Sequence, residues 1–427
     1  MRDPVVEFQN YNRTFARRNP ELLRLKVERM AASPFAFFRG TFHLFARDIL
    51  DGVFETLGQG PRAAVEVDLV GDIHAENFGT FRGDDGAVHY DINDFDETTH
   101  GRFDFDVRRQ AASLLLAAHE RGDPLPDAVL TALAFLTRYT DTIKRLLKKG
   151  RNLDLDVGEN SPSGEQAVDQ LLRTAAAVKR PTFIGKLTSF ENGRRQILRS
   201  IHYFNLPEDE GAQALRLLED YRRRRQETAD DEFYRVEDVC GRVSGIGSMG
   251  RFRYVVLLNG KGSEDGRNYL LEFKEARPSA YDLHRGRDND AAALASRAER
   301  VIEVQRASQA SSNPRLGFAV DGGLSFQVRE LGPRDARLDL KGLLSPETLQ
   351  GAARVQADIL ARVHARAVPR VVGVANPLAE FADASAFCER TLAFALAYAD
   401  LARQDWGRFV GRRAEIDRCE EWAGAGA

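Results

Sequence analysis

The sequence predicts an α+β fold in two lobes, a mainly helical large lobe and a small antiparallel β lobe. Three observations predict it. The chain has 427 residues, more than one hydrophobic core ordinarily supports. Helical patterns occupy most of residues 21–60, 106–229 and 346 onward. Between the last two, residues 236–275 are rich in glycine and β-formers. A β-rich insert bracketed by helical stretches implies that the outer stretches pack together. The expected division is a helical lobe at 1–232, a small β lobe at 233–342, and a helical tail at 343–427 that completes the large lobe.

In order along the chain, Leu22, Leu23, Leu25 and Val27 lead a helical stretch into the phenylalanine-rich segment Phe35–Leu50. A buried strand is expected at Ala63–Val70, then a polar turn at Gly71–Asn77, a hairpin turn at Gly83–Gly86 and a strand at Ala87–Ile92. Val107, Ala111, Leu114 and Leu115 give Asp106–Glu120 a helical period. Helices fill 126–150, the polar stretch Gly150–Glu165 reads as a linker, and charged helices occupy 166–229. Strands are expected near Arg251–Leu258 and Asn268–Lys274, joined by the loop Asn259–Gly266. A helix follows at Asp288–Ser311, then a strand at Leu324–Leu331, and helices from Pro346.

Composition narrows the partners. Hydrophobic residues make up 43% and charged residues 29% of the chain, an ordinary globular balance. Sixty-one basic against 64 acidic residues give a formal charge of −3, which supplies no field for nucleic acid. No run of 18 apolar residues argues for a membrane partner, and the N-terminus lacks the apolar core of a secretory signal. Cys240, Cys388 and Cys419 lie far apart, without metal-ligand spacing, as in a reducing compartment. The expectation is a cytoplasmic protein.

The chemistry concentrates in VGDIHAENFGTFRGDDGAVHYDINDFD. Asp72 follows an apolar strand, Asn77 lies five residues on, and Asp94 follows the next strand. This arrangement suits phosphoryl transfer: one carboxylate takes up the proton of an incoming hydroxyl, while an amide oxygen and a second carboxylate hold Mg2+ against phosphates. Asp72 is the candidate base, with Asn77 and Asp94 the candidate metal ligands. Asp91 and Asp96 compete with Asp94 for that role, and His74 is either a ligand contact or a structural hydrogen bond.

Gly245, Gly247 and Gly250, with Ser248 among them, make a G-x-G-x-x-G. A dinucleotide fold would need a helix after it. A strand follows instead, and strand–turn–strand is the form in which backbone covers ATP phosphates in protein kinases. That form requires a lysine in the next strand, and Lys274 stands there in YLLEFKEA. It also requires a helix carrying a partner for the lysine. On the helix at 288–311, Glu303 is the candidate, with Glu299 and Gln305 as alternatives.

These residues resemble a known group. GDIHAEN is similar to the catalytic loop, H-G-D-x-H-x-x-N, of aminoglycoside and choline kinase-like families, with Val70 in place of the first histidine. NDFD resembles their metal-binding I-D-F-x. Asp106, in FDFDVRRQAA, resembles the aspartate that braces the loop, and LARVHARA resembles the helix that ordinarily precedes it. That helix and the lysine come after the catalytic loop here, which implies a circularly permuted protein-kinase-like fold. Nearly the whole chain also resembles the bacterial domain-of-unknown-function 2252 family, through RMAASPFAFFRGTF, GDIHAENFGTF, YDINDFDET, FDFDVRRQAASL and RVIEVQRASQ. Arg39 and Arg109 stand within those motifs.

The expected function is an ATP- and Mg2+-dependent phosphotransferase acting on a small-molecule acceptor, with acceptor, oligomeric state and phosphoryl against nucleotidyl transfer left open. A metal-dependent phosphohydrolase would share the G-D-x-H element but needs a later G-N-H, which the chain lacks. A non-catalytic nucleotide-binding protein would not need the base, both metal ligands and the lysine together. No G-x-S-x-G or H-x3-H spacing supports serine or zinc chemistry.

Overall fold

A computed structural model describes residues 2–57, 65–149, 155–191, 193–226, 231–247, 249–260, 267–287, 291–368, 381 and 383–424. Ser248 and parts of the expected linker (150–154) and loop (261–266) lie outside them. The fold is α+β, and every paired strand is antiparallel.

Helices begin where the sequence supplies caps. Asp3, Asn19 and Ser33 accept hydrogen bonds from the first turns of Pro4–Arg18, Pro20–Ala31 and Pro34–Gly40, each with proline in that turn. Ser345 does the same for Pro346–Ala367. Among the described residues no helix is long and apolar enough to cross a membrane.

The largest sheet has six strands, in the order Gly317–Asp321, Leu324–Leu331, Tyr269–Ala276, Arg253–Leu258, Val236–Arg242 and Tyr203–Phe204. Two small sheets carry the acidic segment. Glu66–Leu69 pairs with Thr99–Arg102, and Val88–Ile92 pairs with Phe78–Arg82, which pairs in turn with Ala336–Arg337. Phe78–Arg82 and Thr99–Arg102 are strands that the sequence reading did not include. The stretch 166–229 is not helical throughout: Thr188–Glu191 and Arg194–Ile197 form a hairpin. Asn192–Gly193 supplies the two-residue turn signal there, and Gly193 has φ +79°.

Packing also carries residues before 233 into the β-rich unit. Ala214, Leu217, Leu218 and Tyr221, the apolar face of helix Glu208–Arg224, share a cluster with Tyr254, Leu271, Phe273 and Phe326. Ile184 and Ile197 join Val255 and Leu257 on the other face. A larger core unites Phe35–Ile49, the helix Asp104–Arg121 and residues of Pro346–Ala367 and Ala384–Gly411. A fourth cluster packs Phe15, Val27 and Met30 of the first two helices against Val243 and, in the glycine-rich turn, Ile246 and Met249.

Candidate functional site

The turn after Glu66–Leu69 is set by the helix that follows in sequence. Asp106, buried in the first turn of Asp104–Arg121, accepts from the backbone N–H groups of Val70 (2.8 Å) and Gly71 (3.0 Å). The same carboxylate lies 3.3 Å from His364 Nε2 of helix Pro346–Ala367, and His364 Nδ1 is 2.8 Å from the Tyr139 hydroxyl. Gly71 has φ +92°, and a Cβ there would lie 2.2 Å from the Glu97 carbonyl oxygen, so only glycine fits. Ser113 Oγ accepts from Ala75 N–H at 2.7 Å.

The turn aims Asp72 and Asn77 into a cleft, partly open to solvent, which Asp94, Gly245, Gly247 and Lys274 also line. Asn77 Nδ2 donates to the carbonyls of Asp72 and Asp94, 3.1 Å each. Its Oδ1 is buried and has no hydrogen-bond partner among the described residues. Asp72 Oδ1 accepts from Arg109 Nε at 2.9 Å and also from Nη2. Its Oδ2 faces Gly247, whose added Cβ would lie 3.7 Å away. Burial raises the Asp72 carboxyl above its ordinary range, Arg109 opposes this, and the Asp94 charge adds to it.

Lys274 Nζ donates to both oxygens of Asp94, at 3.1 and 3.2 Å, and pairs with Asp96. Burial works to raise the Asp94 carboxyl, but Lys274 and then Arg253 outweigh it and hold the group below the usual carboxylate range. Asp96 also accepts from Gln327 Nε2 at 2.8 Å. Asp91 is not at the cleft; Arg362 binds both its oxygens, at 2.6 and 2.7 Å, in the core.

Three expectations require correction or limitation. Glu303 is exposed and lines a separate cleft with Asp68, Thr98, Thr99 and Arg300, so the ion pairs of Lys274 go to the acidic loop instead. The neighbouring Gln305 is buried and does line the main cleft. Gly250 turns away: at φ +104° its α-carbon faces Phe15, 2.7 Å from an added Cβ, and its carbonyl accepts from Arg18 and Arg277. Ser248 lies outside the described residues.

His74 lines the cleft, and its Nδ1 accepts from Glu76 N–H at 3.2 Å. Burial first, then Arg39, Arg109 and Arg337, hold it well below the ordinary imidazole range, so it is neutral. Arg39 pairs with Glu76 at 2.5 Å and lines the same cleft. The roles of Arg109, Arg251 and Arg337 were not assigned from sequence. Arg251 binds Glu97 at 2.6 Å, and both line the cleft.

Among the described residues no group of three or more His, Cys, Asp or Glu side chains is placed to hold a metal ion. The unpartnered Asn77 Oδ1 and the Asp94 carboxylate are instead a pair of hard oxygen donors in one cleft. Such a pair suits magnesium, which takes one or two protein oxygens and completes its shell with phosphates and water.

No curated protein matches the chain, and no solved structure matches it. A family model described as "Uncharacterized protein conserved in bacteria (DUF2252)" matches residues 18–412. The chain belongs to that family.

Proposed function

We propose that this cleft transfers a phosphoryl group from a magnesium-bound nucleotide, ATP in the first instance, to the hydroxyl of a small molecule, on a circularly permuted kinase-like fold of two lobes. The observation that carries the reading is Asn77: its amide nitrogen is tied to the backbone beside Asp72 and Asp94, while its Oδ1 is buried in their cleft without a partner. Support for the permuted order comes from Lys274, 180 residues after Asp94 yet bonded to it, and from His364, which reaches Asp106 behind the loop.

In this reading Arg109 fixes Asp72 through Oδ1 and leaves Oδ2 to take up the proton of the acceptor hydroxyl. A carboxyl raised by burial is a better base for that step than an exposed one. Asn77 and Asp94 would hold magnesium, which when bound neutralises phosphate charge. Lys274 would exchange carboxylate contacts for a phosphate oxygen, and Gly245 and Gly247 bring backbone close to the phosphates without side-chain bulk.

Calorimetry with ATP and magnesium tests this. Asp94→Asn and Lys274→Ala should each weaken binding by about tenfold or more, since each removes a charge-assisted contact. Asp72→Ala should bind nucleotide yet fail to turn over an acceptor found by screening. Folded wild type that binds no ATP, or binds it equally without magnesium and in Asp94→Asn, would sink the reading.

A further inference from the structure

Successive side chains of a strand alternate between faces, so Glu272 shares the face of Lys274 two residues on. Arg253 and Gln327 stand opposite Lys274 on the flanking strands, and Arg329 stands opposite Glu272. All five line the cleft. Glu272 is 1% exposed and pairs with Arg253 (2.6 Å), Arg329 (3.0 Å) and Arg242. Three guanidiniums therefore meet one carboxylate. Lys274 is already shared between Asp94 and Asp96 on the same side.

Arg337 adds a further cation. It stands opposite Gly79, its Cγ 3.1 Å from where a Gly79 Cβ would lie, and it is exposed. Its side chain makes no hydrogen bond or ion pair to any described residue, its charge acts on Asp94 across the cleft, and it lines the same cleft. A nucleobase is held between apolar or aromatic side chains. The aliphatic side chains lining this cleft, among the described residues, are Ile246 of the glycine-rich turn and Leu316 before Gly317–Asp321. Its aromatic side chains, Tyr11, Phe42, His43 and His74, come from the helices and the acidic turn rather than from the six-stranded sheet, with Tyr11 stacked on His43 at 4.1 Å and Phe42 edge-on to Tyr281 at 5.2 Å. The sheet face beside Lys274 carries Glu272 and its arginines instead.

We propose that the sheet side of the cleft is a site for a polyphosphate chain, read by the guanidiniums of Arg329 and Arg337 together with Lys274, and that it has no slot for the base. This rests on the phosphotransfer reading for the role of the cleft and narrows the donor to a class. The shared chemistry is the phosphate chain, whether of a nucleoside triphosphate or of inorganic polyphosphate.

The test is calorimetry on the full chain with magnesium and, in turn, ATP, GTP, inorganic tripolyphosphate and adenosine. ATP and GTP should bind within about threefold of each other, and adenosine about 100-fold more weakly or not at all, because charge-assisted bonds to phosphate dominate. Tripolyphosphate equal to ATP supports a nucleotide taken regardless of base; tripolyphosphate about tenfold tighter supports an inorganic chain. Arg337→Ala should weaken every polyanion by about tenfold with the melting temperature unchanged, and Arg337→Lys should recover part of the loss.

Adenosine within about tenfold of ATP, or ATP preferred by more than about tenfold over both GTP and tripolyphosphate, would overturn the proposal and leave magnesium-dependent phosphotransfer standing. Polyanion binding unchanged in Arg337→Ala would overturn it too. Conversely, tight polyanion binding indifferent to magnesium and to Asp94→Asn would support this site while removing the phosphotransfer reading.

Discussion

Arg109 holds Asp72 from a position where none of its own side chain reaches solvent. Its Nε donates to Asp72 Oδ1 at 2.9 Å, and its guanidinium carbon lies 4.0 Å from the centre of the Phe38 ring, with Phe42 and Phe45 also within 5 Å. The cation is desolvated on aromatic faces and spends its charge on one carboxylate oxygen. The other oxygen remains toward the cleft.

Removing that cation should cost both stability and base position. Arg109→Met leaves a largely buried carboxylate without its partner, which costs about 3–5 kcal/mol. With the charge gone, the Asp72 carboxyl rises further, so any residual turnover moves to higher pH. Urea unfolding at pH 7 and a pH–rate profile check the two effects. An unchanged midpoint would show that Arg109 is not what holds Asp72.

Asp106 accepts two consecutive backbone N–H groups, and an asparagine there offers one acceptor oxygen. Asp106→Asn should therefore lose about 1–3 kcal/mol and loosen the turn at Gly71. Hydrogen exchange at Val70 and Gly71 reads this directly. Faster exchange at those amides, with the rest of helix Asp104–Arg121 unaffected, is the expected pattern.

His89 ties the segment before Gly158 to its strand, with Nδ1 2.8 Å from Asp156 and Nε2 3.0 Å from Asp85. Burial would lower its pKa, but those carboxylates outweigh it and raise the group to about 9. The folded value exceeds the ordinary 6.5, so this stabilisation is fully present below about pH 6.5 and is lost as pH rises through about 9. His89→Gln should cost about 1–2 kcal/mol at pH 6, solvent around Asp85 reducing the effect, and almost nothing at pH 10. Denaturation at both pH values, with a proton NMR titration of the His89 ring, checks the sign.

The parts of the site that local pattern can encode were legible. Asp72, Asn77, Asp94 and Lys274 each stand beside a strand or a turn whose own residues mark it, and the structure brings all four to one cleft. Arg109 was not legible as a clamp. In FDFDVRRQAA nothing separates it from Arg108, which turns to Glu55, because only the fold decides which arginine faces Asp72. Glu303 was chosen against a signal that was present. Ala298, Val301 and Ile302 mark the buried stripe of their helix, and its period continues to Gln305 rather than to 303. The hairpin at 188–197 was masked by charged residues on both sides of Asn192–Gly193, which made helical spacing look continuous. Phe78–Arg82 and Thr99–Arg102 are short, and the turn-forming residues around them hid their alternation.

The bonds that shape the acidic turn span the chain. Asp106 is 36 residues from Val70, His364 is 258 from Asp106, and Arg362 is 271 from Asp91. A ribosome adds about 5–20 residues per second, so the turn at Gly71–Asn77 emerges many seconds before the helix that completes its support. A nascent chain that has not yet reached His364 carries the motif without the hydrogen bonds that give it shape. The site is therefore assembled only once His364 has been made, and a product truncated before it but retaining every residue of the motif should still lack the fully supported turn.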